Sequence, residues 1–221
     1  MIVIIKYEKD RMKKTLMLLV TCLSLTIVGN AQTKRTARPV KKSQKITPVK
    51  ETIAPPSANG KFTFNIVGFY NDLDKSKYVV ITAPGKSSSE IKSSVMSSLS
   101  SMYSNPSRVI STLGDNIINV NAYTPDAFGK PFAGNTQYYS FYYNIKIEIK
   151  DGKIKVDSPS FSSITRKEIC RGYVIDTRTV EEYNMLGDLE LCDKAQQQKV
   201  IALFNAHIDK IVAGLSSNSD W

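Results

Sequence analysis

The amino-acid sequence predicts an α+β fold, in which an antiparallel sheet of about five to six strands is covered on one face by two amphipathic helices. One observation is that residues 137–157 alternate apolar and polar side chains around an Asp151-Gly152 pair, which is typical of a β-hairpin. Another is that the stretches 87–103 and 189–216 repeat apolar residues with helical spacing. These patterns predict a single domain over residues 61–221.

The central hairpin is predicted to have one buried and one solvent-exposed face, because successive side chains of a strand point to opposite sides. The apolar face of its first strand consists of Tyr139, Phe141, Tyr143, Ile145, Ile147 and Ile149. The polar face consists of Tyr138, Ser140, Tyr142, Asn144, Lys146, Glu148 and Lys150. Ile154 and Val156 continue the alternation on the return strand, so the apolar side of the hairpin needs a helical cover.

Shorter stretches predict the remaining strands. They are residues 61–70, 78–82, 108–113, 117–123 and, in the C-terminal part, 173–175. Residues 124–136 contain several prolines and glycines and are predicted to form a loop. The rest of 158–188 has no clear periodicity and is predicted to be irregular.

Both predicted helices have an apolar stripe. The first starts at Ser87, because Ser87 and Glu90 have the spacing of a capping box, and it ends at Asn105-Pro106. Its stripe consists of Ile91, Val95, Leu99 and Met102, and its other face is nearly all serine. Because serine is a mediocre helix former, packing must hold this helix. The second stripe consists of Val200, Phe204, Ile208, Ile211 and Leu215.

Residues 1–31 are predicted to be a secretory signal peptide, with translation starting at Met12. Met12-Lys13-Lys14 precedes an apolar run at residues 16–28, and Gly29-Asn30-Ala31 predicts cleavage between Ala31 and Gln32. One alternative is a transmembrane anchor, although the run is shorter than the roughly 20 residues that a span needs. The other is a lipoprotein, because Leu19-Val20-Thr21-Cys22 resembles a lipobox. We therefore expect a protein of the periplasm or the cell exterior.

The positive charge of the chain is concentrated near its N-terminus. Of the formal net charge of +10, residues 1–31 contribute +3 and residues 32–60 contribute +6, which leaves +1 for residues 61–221. This distribution argues against nucleic acid as a partner, because such a partner requires a basic folded surface. Residues 32–60 are rich in proline and basic residues and are predicted to be a disordered linker. The linker is either a solvated spacer or an electrostatic contact with an anionic surface.

Two cysteines, Cys170 and Cys192, remain after removal of the signal peptide. An even pair in an exported protein favours a disulfide, and the alternative is two buried thiols. The sequence has no Cys-x-x-Cys motif, and His207 is its only histidine, so it predicts no metal site and no cofactor. His207 borders the apolar stripe of the last helix, where a packed histidine is expected rather than a catalytic one.

Gly85-Lys86-Ser87 lies between a predicted strand and a predicted helix, as the phosphate-binding loop of nucleotide-binding proteins does. That loop also needs a glycine five residues before Gly85, where this sequence has Val80. A single glycine cannot form the phosphate cradle. The sequence therefore predicts a turn followed by a helix cap.

Several short motifs, taken in order, resemble the exported bacterial family called domain of unknown function 4468. They are Tyr78-Val79-Val80-Ile81, Pro84-Gly85-Lys86-Ser87 with Glu90-Ile91, Tyr103-x-Asn105-Pro106 with Val109-Ile110, and the stretches 115–118 and 145–152. The resemblance covers residues 61–157 and implies a TBP-like fold with the order β-α-β4-α. It implies no activity and no catalytic residue, and a TBP-like fold does not imply DNA binding. Residues 158–193 depart from the family pattern.

The leading functional hypothesis is a non-enzymatic module that binds a protein or polymer of the cell envelope. Five side chains are predicted to gather on the exposed face of the sheet: Asn119, Asn121, Tyr123, Tyr138 and Tyr142. Exposed tyrosines combine apolar area with a hydrogen-bonding tip, which suits a binding surface. The alternative is ordinary strand surface, where tyrosine is common.

Two rival functions are consistent with the sequence. An envelope hydrolase would need two converging carboxylates, and Asp72, Asp74, Glu181 and Glu182 are the candidates. These acids lie in predicted turns and loops, where carboxylates are usually only solvated. A structural subunit of an envelope assembly, tethered by the basic linker, is the third hypothesis. The sequence indicates neither the ligand nor the oligomeric state.

Overall fold

The computed structural model describes residues 54–217, which belong to one compact unit of the chain. The predicted signal peptide and most of the predicted linker lie outside these residues. The ten strands are β1 Ser57–Ala58, β2 Phe62–Asn65, β3 Gly68–Asn71, β4 Tyr78–Thr82, β5 Ile110–Leu113, β6 Ile117–Phe132, β7 Asn135–Lys150, β8 Lys153–Asp157, β9 Ser160–Cys170 and β10 Tyr173–Thr179. The four helices are α1 Ser88–Ser100, α2 Pro106–Val109, α3 Glu182–Glu190 and α4 Lys194–Ser217.

Eight of the strands form one antiparallel sheet, built around the long strand β7. The strand order along the main path is β1-β4-β8-β7-β6-β5. One edge of β7 pairs with β6, while the other edge pairs with β8 near one end and with β9 along the rest. β10 extends the sheet beyond β9, and β2 and β3 form a separate hairpin. The α+β class and the antiparallel sheet are confirmed, although the sheet has more strands than expected.

The predicted apolar face of β7 forms the sheet side of the hydrophobic core. All six of its predicted residues are buried, from Tyr139 to Ile149. The apolar stripes of α1 and α4 are buried against the same core, which confirms the helical cover. Phe204 of α4 lies at the centre of an aromatic cluster, with ring centroids 4.8 Å from Phe69 and 5.2 Å from Tyr143. By length and composition alone α4 could cross a membrane, but its apolar residues belong to this core.

Both predicted turn signals are confirmed. Gly152 has a φ of 72° in the turn between β7 and β8, a conformation that glycine adopts without steric cost. At the start of α1, the Glu90 backbone N–H donates to Ser87 Oγ, and the Ser87 N–H donates to Glu90 Oε2 at 2.8 Å. The Ser88 N–H donates to Asp151 Oδ1 at 2.7 Å. Two carboxylates therefore accept hydrogen bonds from the backbone at this helix terminus.

The prediction of a single strand over 61–70 was wrong. The chain reverses after Asn65 and forms the β2–β3 hairpin, in which Phe62 lies opposite Asn71. The turn residues Ile66 and Val67 are exposed, and Gly68 has a φ of 129°, a conformation favoured by glycine. Alternation alone could not reveal this reversal, because the apolar pattern resumes on the return strand.

The predicted loop at 124–136 and the predicted irregular stretch at 158–188 were also wrong. Strand β6 continues through the first of them to Phe132, because a register shift between Thr124 and Phe128 accommodates Pro125. The second contains β9, β10 and the first part of α3. The free edge of the long strand β7 provides hydrogen-bond partners for β9, from Thr136 to Asn144. Tertiary pairing therefore overrides weak local signals.

Three boundaries differ from expectation. Ser57 and Ala58, predicted to be linker, form β1 and pair with Thr82 and Ile81 of β4. The predicted strand at 108–113 starts only at Ile110, because Pro106 begins a short helix. The predicted C-terminal helix is two helices, α3 and α4, separated by residues 191–193. The described residues 54–217 contain four helices, so the detail of two helices is not confirmed.

Candidate functional site

The side of the main sheet opposite the helices carries the predicted binding residues, and we call it the outer face. It contains the alternate side chains of β7 from Tyr138 to Lys150, together with those opposite them on β6 and β8. Tyr123 and Tyr142, near its centre, are 50% and 52% exposed. No other element among residues 54–217 therefore covers this part of the sheet.

Tyr123 and Tyr142 form a contacting pair with tilted rings on the outer face. They are directly opposite each other in the β6–β7 register, and their ring centroids are 4.6 Å apart with an interplanar angle of 36°. Cross-strand aromatic pairs stabilise a sheet and restrict the rings to one orientation. The pair therefore presents a pre-ordered apolar surface with two hydroxyl groups.

A pair of amides lies next to the tyrosines. Asn121 and Asn144 are opposite each other, and Asn144 Nδ2 donates to Asn121 Oδ1 at 2.7 Å. Each amide group keeps further donor or acceptor capacity beyond this bond. Asn119 lies one outward position further along β6, opposite Lys146. The structure thus brings together four of the five predicted residues.

Tyr138 is the predicted residue that lies apart from the others. It is four residues from Tyr142 along β7, or roughly 14 Å at strand spacing, and it is half-buried. Its ring lies beside Gly129 of β6, where an added Cβ would approach Tyr138 Cε1 to 3.1 Å. Lys167 Nζ lies 5.7 Å from the ring centroid and forms an ion pair with Asp126 at 2.7 Å. Tyr138 therefore packs against the neighbouring strand and also contributes to the exposed surface of the sheet.

Lysines occupy the other end of the outer face. Lys146 and Lys155 both pair with Glu148, at 2.5 Å and 3.6 Å, and Lys155 also pairs with Asp157 at 3.0 Å. The hydrogen bond from Lys146 lowers the pKa of Glu148, so this carboxylate stays ionised. The hydrogen bond from Lys155 to Asp157 raises the pKa of that lysine. Glu148 and Lys155 are therefore both charged at neutral pH.

Two further lysines, Lys150 and Lys153, face each other across the β7–β8 register. Neither forms an ion pair with an acid among the described residues. Like charges directly opposite each other in a sheet repel. With Glu148, Lys155, Val80 and Ile154 they line a cavity of about 190 Å³. The sequence did not lead us to predict this site. The signal that could have indicated it is the set of lysines on both sides of the Asp151-Gly152 turn.

Two of the four acids proposed for a hydrolase, Asp72 and Asp74, accept hydrogen bonds from the backbone of nearby residues. Asp72 Oδ1 accepts from the Lys61 N–H at 3.0 Å, and Asp74 Oδ1 accepts from the Ser76 N–H at 2.9 Å. Hydrogen bonds from Ser76 lower the pKa of Asp74. Glu181 is the residue before α3, and Glu182 lies in its first turn, where burial raises the pKa of the Glu182 carboxyl. Among residues 54–217, no group of three or more potential ligands could hold a metal ion.

His207 is a packed histidine, as predicted, with only 1% of its surface exposed. Its Nδ1 lies 3.1 Å from the Leu203 carbonyl oxygen, and its Nε2 lies 2.6 Å from the Tyr103 hydroxyl. Because a carbonyl only accepts, Nδ1 carries the proton and Nε2 accepts from Tyr103. The Tyr103 hydroxyl is 3.5 Å from that of Tyr143, so the partly buried Tyr103 joins the buried His207 and Tyr143 in one chain of polar contacts.

The predicted disulfide between Cys170 and Cys192 is not present, and both residues are free, partly buried thiols. Cys192 Sγ lies 3.3 Å from the Asp188 carbonyl oxygen and 3.8 Å from that of Gly129 on β6. Cys170 ends β9, which is two strands away from β6 with β7 between them. Cys170 and the strand that Cys192 contacts are therefore separated by two strand spacings, or about 10 Å.

Comparison of the chain with protein-family models, with curated proteins and with solved structures found no match. The resemblance to the family called domain of unknown function 4468 therefore stays a prediction.

Proposed function

We propose that this chain is an exported, non-enzymatic binding module of the cell envelope, and that the outer face of its sheet binds the ligand. The observation that carries the proposal is the Tyr123–Tyr142 pair, in which two half-exposed rings are ordered by their mutual contact on an uncovered face. Large exposed aromatic side chains on a rigid sheet lose little conformational entropy on binding. The resemblance to an exported family with a TBP-like fold is consistent with this proposal.

The polar neighbours of the tyrosines support a binding role. Asn121 and Asn144 lie beside the rings and are already ordered by their mutual hydrogen bond. Aromatic area flanked by a few positioned polar groups is the usual composition of a ligand-binding surface. The rim of lysines and carboxylates adds charge that can select a partner.

The proposal also includes a role for the basic segment before the domain. All seven basic residues of the predicted linker lie within residues 32–53, because residues 54–60 contain none. An anionic envelope surface would attract such a segment by roughly 1 kcal/mol for each basic residue near it. Such contact is weakened by salt. The segment would hold the module near the surface while the outer face selects the ligand.

The test is crosslinking in intact cells, followed by reconstitution with the purified partner. The variant is Tyr123→Ser/Tyr142→Ser, and the matched control is Tyr173→Ser, which removes an exposed tyrosine from β10. We expect the double variant to lose the partner while circular dichroism shows an unchanged fold, and the control to retain it. Retention of every partner by a folded double variant would contradict the proposal.

A further inference from the structure

The outer face has two chemically different ends, joined by strand β7. The aromatic end contains the Tyr123–Tyr142 pair and the amides of Asn121 and Asn144. The basic end contains four lysines, at positions 146, 150, 153 and 155, against the two carboxylates of Glu148 and Asp157. The basic end therefore has a net charge of +2, although the whole of residues 61–221 has only +1. Positive charge is concentrated on this part of the folded domain.

We propose that the ligand of the outer face is an acidic polysaccharide, whose sugar rings stack on the tyrosine pair and whose anionic groups reach Lys150 and Lys153. This inference rests on the proposed function, because it names the ligand class of the same surface. The C–H groups on one face of a pyranose ring form a flat apolar area, which packs on an aromatic ring. The sugar hydroxyls then meet amide and phenol groups that both donate and accept hydrogen bonds.

The basic end supplies the charge complementarity. Lys150 and Lys153 repel each other across the strand pair, and no acid of the described residues neutralises them. A carboxylate or sulfate group in their cavity would remove this repulsion and gain charge-assisted hydrogen bonds. The cavity of about 190 Å³ accommodates such a group rather than a large ligand. Glu148, held by Lys146 and Lys155, fixes the positions of the surrounding charges.

The distance between the two ends favours a polymer. Tyr142 and Lys150 are eight residues apart on one strand, or roughly 27 Å at strand spacing. A single sugar or a small anion cannot contact both ends at once, whereas an extended chain along β7 can. Contacts at two separated ends of one chain reinforce each other, because the second contact is intramolecular.

Single-stranded nucleic acid shares some of this chemistry, because its bases stack on aromatic rings and its phosphates bind lysines. The arrangement of charges favours the polysaccharide. Two carboxylates, Glu148 and Asp157, lie among the lysines and interrupt the positive track that a phosphate on every nucleotide requires. Acidic polysaccharides carry their charges more widely spaced, which suits alternating lysines and carboxylates.

The experiment measures binding of the purified chain from Gln32 to Trp221 by isothermal titration calorimetry and affinity electrophoresis. The probes are alginate and dextran sulfate as acidic polysaccharides, unmodified dextran as the neutral one, and single-stranded oligodeoxythymidine. We expect binding to at least one acidic polysaccharide that is at least tenfold tighter than binding to dextran. Raising the salt concentration from 0.05 M to 0.5 M should weaken it at least tenfold.

Variants assign the two ends. We expect Lys150→Gln/Lys153→Gln to weaken binding at least fivefold and to reduce its salt dependence, while Lys210→Gln on the exposed side of α4 leaves both unchanged. Tyr123→Ser/Tyr142→Ser should weaken binding at least tenfold without changing the salt dependence, and Tyr173→Ser should have no effect.

The contradicting outcomes separate this inference from the proposed function. Equal binding of neutral and acidic polysaccharides, or tighter binding of the oligonucleotide, would overturn the acidic-polysaccharide ligand while leaving the tyrosine face as a binding surface. A second such outcome is that neither acidic polysaccharide binds, while binding of a protein partner still requires Tyr123 and Tyr142. It would also overturn the acidic-polysaccharide ligand and leave the tyrosine face as a binding surface. Polysaccharide binding that is unchanged in the folded tyrosine double variant would contradict the outer face itself.

Discussion

Asn205 joins α4 to the edge of the β2–β3 hairpin by two hydrogen bonds. The Phe62 N–H donates to Asn205 Oδ1 at 2.8 Å, and Asn205 Nδ2 donates to the Phe62 carbonyl oxygen at 3.0 Å. The amide thus replaces the neighbouring strand that this edge of β2 lacks. Asn205 is only 7% exposed, so water cannot easily substitute for it.

We predict that Asn205→Leu lowers the free energy of unfolding by about 2–4 kcal/mol, because it leaves one buried donor and one buried acceptor of Phe62 unsatisfied. Urea denaturation followed by circular dichroism measures the loss. The control is Asn184→Leu on the exposed surface of α3, which should change stability little. Equal stability of the two variants would show that the hydrogen bonds of Asn205 contribute nothing net.

The burial of His207 makes stability depend on pH. Burial is the main cause that lowers its pKa, while hydrogen bonding to the backbone of its own helix acts in the opposite direction. Its Nε2 accepts from Tyr103, so a proton there would compete with an existing hydrogen bond. The folded state therefore binds fewer protons than the unfolded state, where an ordinary histidine has a pKa of about 6.5.

We predict that the domain loses stability as the pH falls below about 6.5, because His207 then binds a proton in the unfolded state but not in the folded state. Above about pH 7.5 this contribution is fully present and constant. Urea denaturation at pH 8.0 and pH 5.0 should show a smaller loss for His207→Gln than for the unchanged chain. Acids such as Glu90, whose pKa is lowered, contribute equally to both proteins and cancel in this comparison. An identical loss in both would contradict the assignment to His207.

At the scale of elements, two serines of α1, Ser94 and Ser98, are explained by their contact with α4. Gly214 of α4 lies against Ser94 and Ser98, and a methyl group at Gly214 would overlap Ser98 Oγ and lie 3.0 Å from Ser98 Cβ. Ser98 Oγ donates to the Ser94 carbonyl oxygen, so its hydroxyl is satisfied within α1. Small residues on both helices allow this close approach, which larger side chains would prevent.

We predict that Gly214→Ala destabilises the domain by about 1–3 kcal/mol, the usual cost of overpacking a close contact. Gly187→Ala in α3 is the matched control, because a Cβ there meets nothing within 4 Å. Alanine in a helix interior is favoured over glycine, so the control should be neutral or more stable. Thermal denaturation measures both variants.

Ser98→Ala provides a second check of the same contact, because it removes the hydroxyl that an added methyl group would overlap. Combined with Gly214→Ala, it should restore part of the lost stability. If Gly214→Ala is as stable as Gly187→Ala, the two helices do not approach each other as closely as the structure shows.

At the scale of the whole molecule, the strand order decides which distant residues meet. Strand β7 is long enough to pair with β6 on one edge and with both β8 and β9 on the other. This arrangement joins the tyrosine end and the lysine end into one continuous surface. It also separates Cys170 on β9 from Cys192, which contacts Gly129 on β6.

We predict that the stability of the chain from Gln32 to Trp221 does not depend on redox conditions, because both of its cysteines are free thiols. The temperature of thermal unfolding should be unchanged, within about 1 °C, by dithiothreitol. Thiol titration of the denatured chain should find both cysteines free. A lower unfolding temperature in dithiothreitol, together with missing thiols, would show that a bridge forms in solution.

Much of the fold could be predicted from local patterns. The alternation along β7, the Asp151-Gly152 turn and the Ser87–Glu90 capping box each depend on neighbouring residues, and each is confirmed. Local patterns could not predict the β2–β3 hairpin, β9 and β10, because the pairing of these strands depends on edges that other strands provide. The candidate site divides in the same way. Alternation placed Tyr123 and Tyr142 on the exposed face, whereas their ring contact required the register of two strands.

The sequence by itself determined which side chains are buried along the central strand, where its turn lies and where α1 begins, because these follow from side-chain alternation and from hydrogen bonds between near neighbours. Only the tertiary structure decided that the sheet has eight strands, that the two thiols are apart, and that a tyrosine pair and a lysine pair share one face. The physical reason is that a strand edge can accept any strand of suitable length. The choice depends on the packing of the whole core.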